Sequence, residues 1–304
     1  MNSLDKNCLV SIIIPTYNRA DRILKTLKSA INQSYKNIEI IIIDDNSDDN
    51  TEQIVKKYLN DKVHYYKNKV NLGGAKSRNV GVKKSNGDII AFLDSDDEWL
   101  ENKIQLQIEK FLKNKDVGMV YTKYLLINEI TGEKIKFDCE KVFEKDFHSL
   151  LCQNYIGTTS SICIKKDIFE QIGGFDENLP SCQDWDLYIR IAQVCKIEKV
   201  EDICLNYYFH NNSITGNSKN TIIGHNIIIK KINSILEKNK LEEEKIIKSY
   251  NFRRMANVYM KNRMIKEGRK NFKKSMLYKF NKQSLQHLIA SYLGENIYFK
   301  LKKL

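Results

Sequence analysis

Residues 9–19 read LVSIIIPTYNR, residues 38–49 IEIIIIDDNSDD and residues 88–99 DIIAFLDSDDEW. Each opens on a short apolar run rich in isoleucine and closes on a polar cluster. A continuous apolar run of this length, bounded by turn residues, fits a strand buried on both faces, as in a parallel sheet. The segments between supply the other half of the pattern. Within residues 21–33, Ile23, Leu24, Leu27 and Ile31 recur at helical spacing. Residues 51–59 predict a helix, 62–67 a short strand, 71–74 a turn and 75–84 another helix. Strands alternating with helices mean a parallel sheet with right-handed crossovers. In such sheets ligands bind beyond the carboxyl ends of the strands. There lie the most polar clusters of the chain, PTYNR, DDNSDD and DSDDEW.

Beyond Trp99 the pattern is mixed. A helix is expected to about Lys113, strands near 118–127 and 160–164, a helix at 184–194 and an extended stretch at 196–210. After about Asn217 strand signals vanish. Residues 222–236, 242–260, 265–278 and 283–293 predict amphipathic helices. The expected architecture is an α/β domain over residues 1–216, with a mostly parallel central sheet flanked by helices, followed by an all-α extension over 217–304.

The 304 residues are enough for one large α/β domain with an appendage, and the 42% hydrophobic content is that of an ordinary globular chain. Seven cysteines form an odd set with no C-x-x-C pair, which speaks against a disulfide framework and a thiolate zinc site. Free cysteines fit a reducing compartment, and the first residues carry no apolar stretch behind a basic region, so a cytoplasmic location without a leader peptide is expected. No stretch has the length and apolarity of a bilayer span. The net charge of +12 is unevenly placed: residues 217–304 hold 21 Lys and Arg against 6 Asp and Glu, a net of +15, leaving −3 for the rest. Such a tail either meets an anionic surface, a peripheral contact with the inner membrane face, or is a solvated helical face. Basic residues confined to the tail and no recognisable nucleic-acid module give no expectation of a nucleic-acid partner.

Three constellations carry chemistry. Asp94, Ser95, Asp96 and Asp97 follow a buried strand, and carboxylates crowded there repel one another unless a cation neutralises them. Hard Mg²⁺ or Mn²⁺ takes one or two carboxylates plus phosphate oxygens and waters. The plain alternative is a surface turn or helix cap. Asp44 and Asp45 end the second strand, where a carboxylate can accept from a base imide or ribose hydroxyls, or simply form an Asx turn. No G-x-G-x-x-G follows the first strand, which disfavours a dehydrogenase. Asp184, in QDWDL at a helix start, is either a general base or an N-terminal cap.

The motifs VSIIIPTYNR, IEIIIIDDNSDD, NLGGAKSRNVG, GDIIAFLDSDDEW, GGFDENLPSCQDWDL and YYFHNNSIT occur in this order over roughly residues 8–215. Together they closely resemble the inverting family 2 glycosyltransferases of the GT-A fold, of the bacterial surface-polysaccharide or protein-glycosylating type. The resemblance implies that Pro15, Tyr17 and Asp45 hold the nucleotide base, usually uracil, with Arg19 nearby, and that Thr16, Arg78, Asp94 and Ser95 belong to the same nucleotide site. It implies that Asp94 and Asp96 form a D-x-D pair with Asp96 the closer ligand of Mn²⁺ or Mg²⁺, that His210 lies near the metal and diphosphate, and that Asp184 is the catalytic base. Gln183 stands where the family commonly has Glu, which touches acceptor orientation more than the base. The implied activity is single-displacement transfer of a hexosyl group from a nucleotide-sugar, UDP-linked in the usual case, to a hydroxyl of a glycan, lipid-linked saccharide or protein. A sugar nucleotidyltransferase would share the metal and nucleotide but have no use for Asp184. A non-catalytic nucleotide-binding protein would need none of the chemistry.

Overall fold

The computed structural model describes residues 4–210, 218–294 and 298–299. They fall into two compact units, one drawn from Met1–Glu140, Tyr155–Glu177 and Gln183–Ser213, the other from Lys141–Asn154, Asn178–Cys182 and Ile214–Leu304.

The first unit begins as the apolar runs predict: β1 (Val10–Thr16), α1 (Ile23–Ile31), β2 (Ile38–Asp44), α2 (Thr51–Lys56), β3 (Val63–Lys67), α3 (Gly74–Lys83) and β4 (Ile89–Phe92). These four strands lie in the order β3-β2-β1-β4 and every pair is parallel. All residues of β1, β2 and β4 are buried, as strands covered on both faces must be. Helix α3 lies close on this sheet because Gly81 has no side chain: a Cβ there would stand 2.4 Å from Ile13 Cγ2.

The chain continues through β5 (Glu98–Trp99), α4 (Lys103–Lys113), β6 (Val117–Asn128) and β7 (Lys134–Phe137), then, in the second unit, α5 (Asp146–Cys152). Back in the first unit come a 3-10 turn at Thr159–Ser161, β8 (Ile162–Lys165), α6 (Lys166–Gln171), α7 (Gln183–Ile191) and β9 (Lys196–Phe209). This half of the sheet is mixed: β8 is antiparallel to β4 and β6, β6 is parallel to β9, and β5 and β7 add antiparallel edges to β9 and β6. The fold is thus the expected α/β sheet with flanking helices, parallel in its first half and mixed in its second. The core beneath it gathers Ile12, Ile14, Leu27, Ile40, Ile42, Ile104, Phe111 and Val120, all at most 1% exposed.

The second unit is helical. Besides α5 it contains α8 (Ser218–Asn239), α9 (Glu244–Lys261), α10 (Ile265–Tyr278) and α11 (Lys282–Tyr292). Ala256 and Met260 of α9, Phe272 of α10 and Leu288 and Ala290 of α11 form its small core. Ser249, Ser275 and Ser284 are buried among them with their hydroxyls linked to one another or to backbone carbonyls, so none is left unsatisfied. Among the described residues no helix is long and apolar enough to cross a membrane.

Candidate active site

The loops after β1 and β2 hold each other. Asn18, with φ +50°, donates its backbone N–H to Ser47 Oγ (2.9 Å) and accepts at Oδ1 from Asp48 N (3.0 Å). Arg19 N donates to Thr51 Oγ1 and Ala20 N to Asp49 Oδ2. Pro15 and Thr16 complete β1, and the N–H of Asp45 donates to the Thr16 carbonyl at 2.7 Å. Tyr17, by contrast, is 45% exposed at the strand end.

The two aspartates ending β2 have different work. Asp44, fully buried, accepts from Ser47 N (2.7 Å) and from the Tyr65 hydroxyl (2.5 Å), which closes the turn against β3. Asp45 accepts from Asn68 Nδ2 (2.9 Å), Leu72 N (2.8 Å) and Gly73 N (2.7 Å). Its carboxylate therefore pins the NLGG turn that leads into α3. Three hydrogen bonds to one ionised carboxylate are a strong local anchor.

Helix α3 carries two side chains in succession that organise what lies around it. Arg78 is paired with Asp94 just beyond β4, and Asp94 also accepts from Thr159 Oγ1, while its N–H donates to Ser160 Oγ. Asn79 clamps the GGFDE loop: its Oδ1 accepts from Phe175 N, and its Nδ2 donates to Phe175 O and Glu177 Oε1. Gly174 is required beside it, since it has φ +70° and a Cβ would stand 2.7 Å from Asn79 Oδ1. Sequence reasoning missed Asn79; nothing in its local pattern separates it from an ordinary helical asparagine.

The acidic cluster is resolved into distinct environments. Asp96 Oδ2 lies 3.1 Å from His210 Nε2 and 3.7 Å from an Arg19 guanidinium nitrogen. The loop after β1, the loop after β4 and the end of β9 thus meet at one carboxylate. Ser95 between the two aspartates is buried. Asp97, 1% exposed, has one carboxylate oxygen near Tyr208 N (3.3 Å) and the other without a partner. Burial pushes its carboxyl well above the usual range, and the charges of Asp94 and Asp96 push the same way. The sequence signalled Asp97 only as one more charge in the cluster. Among the described residues no group of three or more ligand-type side chains is gathered as a metal site.

Asp184 is the second residue of α7, and Trp185 beside it is buried. Desolvation raises the Asp184 carboxyl above the ordinary aspartate value, opposed by the Trp185 backbone N–H and the charge of Arg78 and assisted by Asp94. Arg78, paired with Asp94, is thus also felt as charge at Asp184. A carboxyl shifted toward neutrality by its surroundings is what a general base requires.

The chain is similar to known proteins. Residues 11–173 match the model of Glycosyl transferase family 2. An uncharacterized glycosyltransferase of Rickettsia conorii is 37% identical over 210 residues, 66% of this chain and 34% of its own length, so the chain spans about a third of that relative. The Escherichia coli UDP-Glc:alpha-D-GlcNAc-diphosphoundecaprenol beta-1,3-glucosyltransferase WfaP is 45% identical over 126 residues, 41% of this chain and 50% of its own. Of solved structures, S. aureus TarS 1-349 in complex with UDP-GlcNAc superposes with a TM-score of 0.64 at 17% identity, covering 95% of this chain and 88% of that one. The Pyrobaculum calidifontis mannosyltransferase PcManGT with GDP-Man and Mn²⁺ gives 0.54 at 20% identity, over 73% and 64%. The structural likenesses bear on the fold, the GT-A arrangement, and by the family match the chain belongs to glycosyl transferase family 2.

Proposed function

We propose that the chain transfers a hexosyl group from a UDP-linked sugar to an acceptor hydroxyl, on a glycan, lipid-linked saccharide or protein, with inversion at the anomeric carbon and with help from Mn²⁺ or Mg²⁺. The observation that carries the reading is the D-x-D carboxylate Asp94 held by Arg78, together with a desolvated Asp184 carboxyl that feels the charge of both. The relative that uses UDP-Glc and the neighbour bound to UDP-GlcNAc support the choice of uridine.

In this reading Tyr17, Asp45 and Arg19 receive the nucleotide at the ends of β1 and β2. Asp184 takes the proton of the acceptor hydroxyl as that oxygen bonds to the anomeric carbon. The electron pair of the breaking C–O bond leaves on the diphosphate. Attack opposite the leaving group inverts the centre, so an α-linked donor gives a β-linked product. The raised Asp184 carboxyl favours proton uptake, and the charge of Arg78 opposes that rise.

The residues present fit a hard divalent cation. One buried Asp97 oxygen has no partner, and Asp94 and Asp96 add their charge beside it although Arg78 and Arg19 face them, so the cluster can take a further cation. Asp96 and His210 supply an oxygen and a nitrogen donor 3.1 Å apart, and such ions usually complete their shell with phosphate oxygens and water. Asp96 and His210 would hold the ion, and its chemistry there is neutralisation of charge on the diphosphate. The test is incubation with a panel of UDP-, GDP- and dTDP-sugars with and without Mn²⁺, reading released nucleotide. Release from one UDP-sugar that disappears with chelator is the expected result; release of inorganic pyrophosphate from a nucleoside triphosphate and a sugar phosphate instead would point to nucleotidyl transfer. The basic tail is read as the part that meets an anionic membrane.

A further inference from the structure

The solvent-facing side of α10 is unusually cationic. Lys266, Arg269, Lys270, Lys273 and Lys274 line a concavity of about 450 Å³ together with Leu277 and Tyr292, and no acidic side chain lines it. Their spacing along the helix places them on one face, opposite the buried Gly268, Phe272 and Ser275. Arg269 is fixed in place: it donates through Nε to Ser291 Oγ (3.0 Å), pairs with the Ser291 carbonyl and stacks 3.9 Å from the Tyr292 ring. That joins α10 to the end of α11 as one surface.

Apolar side chains stand exposed on α10, on α11 and just beyond their ends, and Leu277 and Tyr292 among them line the concavity. Leu277 is 84% exposed and Phe280 64%, with Ile289, Tyr292 and Leu293 more than half exposed. A cationic face alone would suit any soluble polyanion. A cationic face edged by protruding leucine, isoleucine and aromatic residues is complementary to a bilayer surface, where phosphate headgroups lie above acyl chains.

We infer that the α10 face and the adjoining end of α11 dock the protein on an anionic phospholipid surface, the lysines meeting headgroup phosphates and Leu277 and Phe280 entering the interface. The inference rests on the reading of the tail as membrane-facing and names the surface responsible; it is independent of donor and acceptor. Attraction of this kind is screened within about 8 Å at physiological ionic strength.

The test is co-sedimentation of the full chain with vesicles of phosphatidylcholine alone or with phosphatidylglycerol, at low and high salt. Three proteins are compared: the wild type, a variant with Lys266, Lys270, Lys273 and Lys274→Gln, and a charge-matched variant with Lys230, Lys238, Lys240 and Lys245→Gln on α8, α9 and the link between them. All four control positions are exposed. Near a membrane each such residue contributes about a factor of five in affinity. The α10 variant is therefore expected to lose at least about 100-fold, the control variant less than about tenfold, and thermal melts of both to match the wild type. Equal losses in the two variants would reduce the effect to net charge and overturn the assignment of the surface. Anionic-vesicle binding retained by a folded α10 variant would overturn it while leaving the tail reading intact. No wild-type binding, or equal binding to neutral vesicles, would overturn both. Leu277→Ser with Phe280→Ser is expected to weaken the binding that persists at high salt; no change there would remove the apolar half of the proposal.

Discussion

Replacing Asp45 by alanine tests whether this carboxylate is first of all an anchor for its own fold. The substitution deletes the acceptor of three hydrogen bonds, from Asn68 Nδ2, Leu72 N and Gly73 N. Bonds to an ionised partner contribute about 1.5–3 kcal/mol each when their donors stay dry. Here Leu72 is half-buried and Gly73 is exposed, so water replaces much of what is lost. About 1 kcal/mol for each bond is then the better figure, or about 3 kcal/mol in all. For a domain of this size that lowers the melting temperature by about 6–12 °C. Thermal unfolding followed by circular dichroism reads it directly, and Asp45→Asn, which keeps one acceptor oxygen, is expected to fall between. A melt within about 1 °C of wild type, with nucleotide binding lost, would refute the anchoring argument and make Asp45 a ligand-binding residue only.

Asp96→Ala is expected to abolish donor turnover in Mn²⁺ in a chain that still folds, the loss of the His210 and Arg19 contacts being set against relief of charge beside buried Asp97; a folded variant with normal turnover would remove Asp96 from the site. Gly81→Ala is expected to destabilise by about 1–3 kcal/mol in urea titration, since overpacking against Ile13 outweighs the better helix propensity of alanine, and Ile13→Val in the same chain should recover part of the loss. Lys103 is fully buried, donates to Gln107 Oε1 (2.7 Å) and lies over the Trp99 ring, and burial lowers its pKa below the ordinary 10.5. A lowered lysine binds fewer protons folded than unfolded, so stability rises as pH climbs from the folded value toward 10.5. Lys103→Met should flatten that rise relative to wild type, and unchanged curvature would mean the amine is solvated.

The first half of the fold was legible because β1, β2 and β4 are buried on both faces and so are mostly apolar. The second half was less so. β5 is only Glu98–Trp99, recruited by pairing with Leu205 and Asn206 of β9, which no local pattern announces. β7, four residues with three exposed, has too little burial to show alternation. Helices α5 and α6 are short, and their sequences gave no expectation. At the site, strand-end polarity pointed to Asp94 and Asp96 because carboxylates crowded beyond a buried strand repel one another, whereas Asp184 stood only at a helix start and took its role from the resemblance. The division of labour between Asp44 and Asp45 was not legible, since it depends on Tyr65 and the NLGG turn, both distant in sequence. The same holds for Arg78, whose partner Asp94 lies sixteen residues on, and for the burial of Asp97 against β9, where Tyr208 N donates to it.

The central claim, that Asp184 is the base of a sugar transfer, is tested most directly by comparing Asp184→Asn with wild type on the UDP-sugar identified by the panel. Calorimetry measures donor binding and product analysis measures transfer. The account predicts donor affinity within a factor of about two of wild type and transfer reduced by about 10²–10⁴-fold, the usual contribution of general acid–base catalysis. It also predicts that wild-type transfer falls with acid at a pH above the ordinary aspartate range, because burial lifts the Asp184 carboxyl. Transfer by Asp184→Asn within a factor of about two of wild type, with the same acid limb, would contradict it and leave Asp184 as the cap of α7.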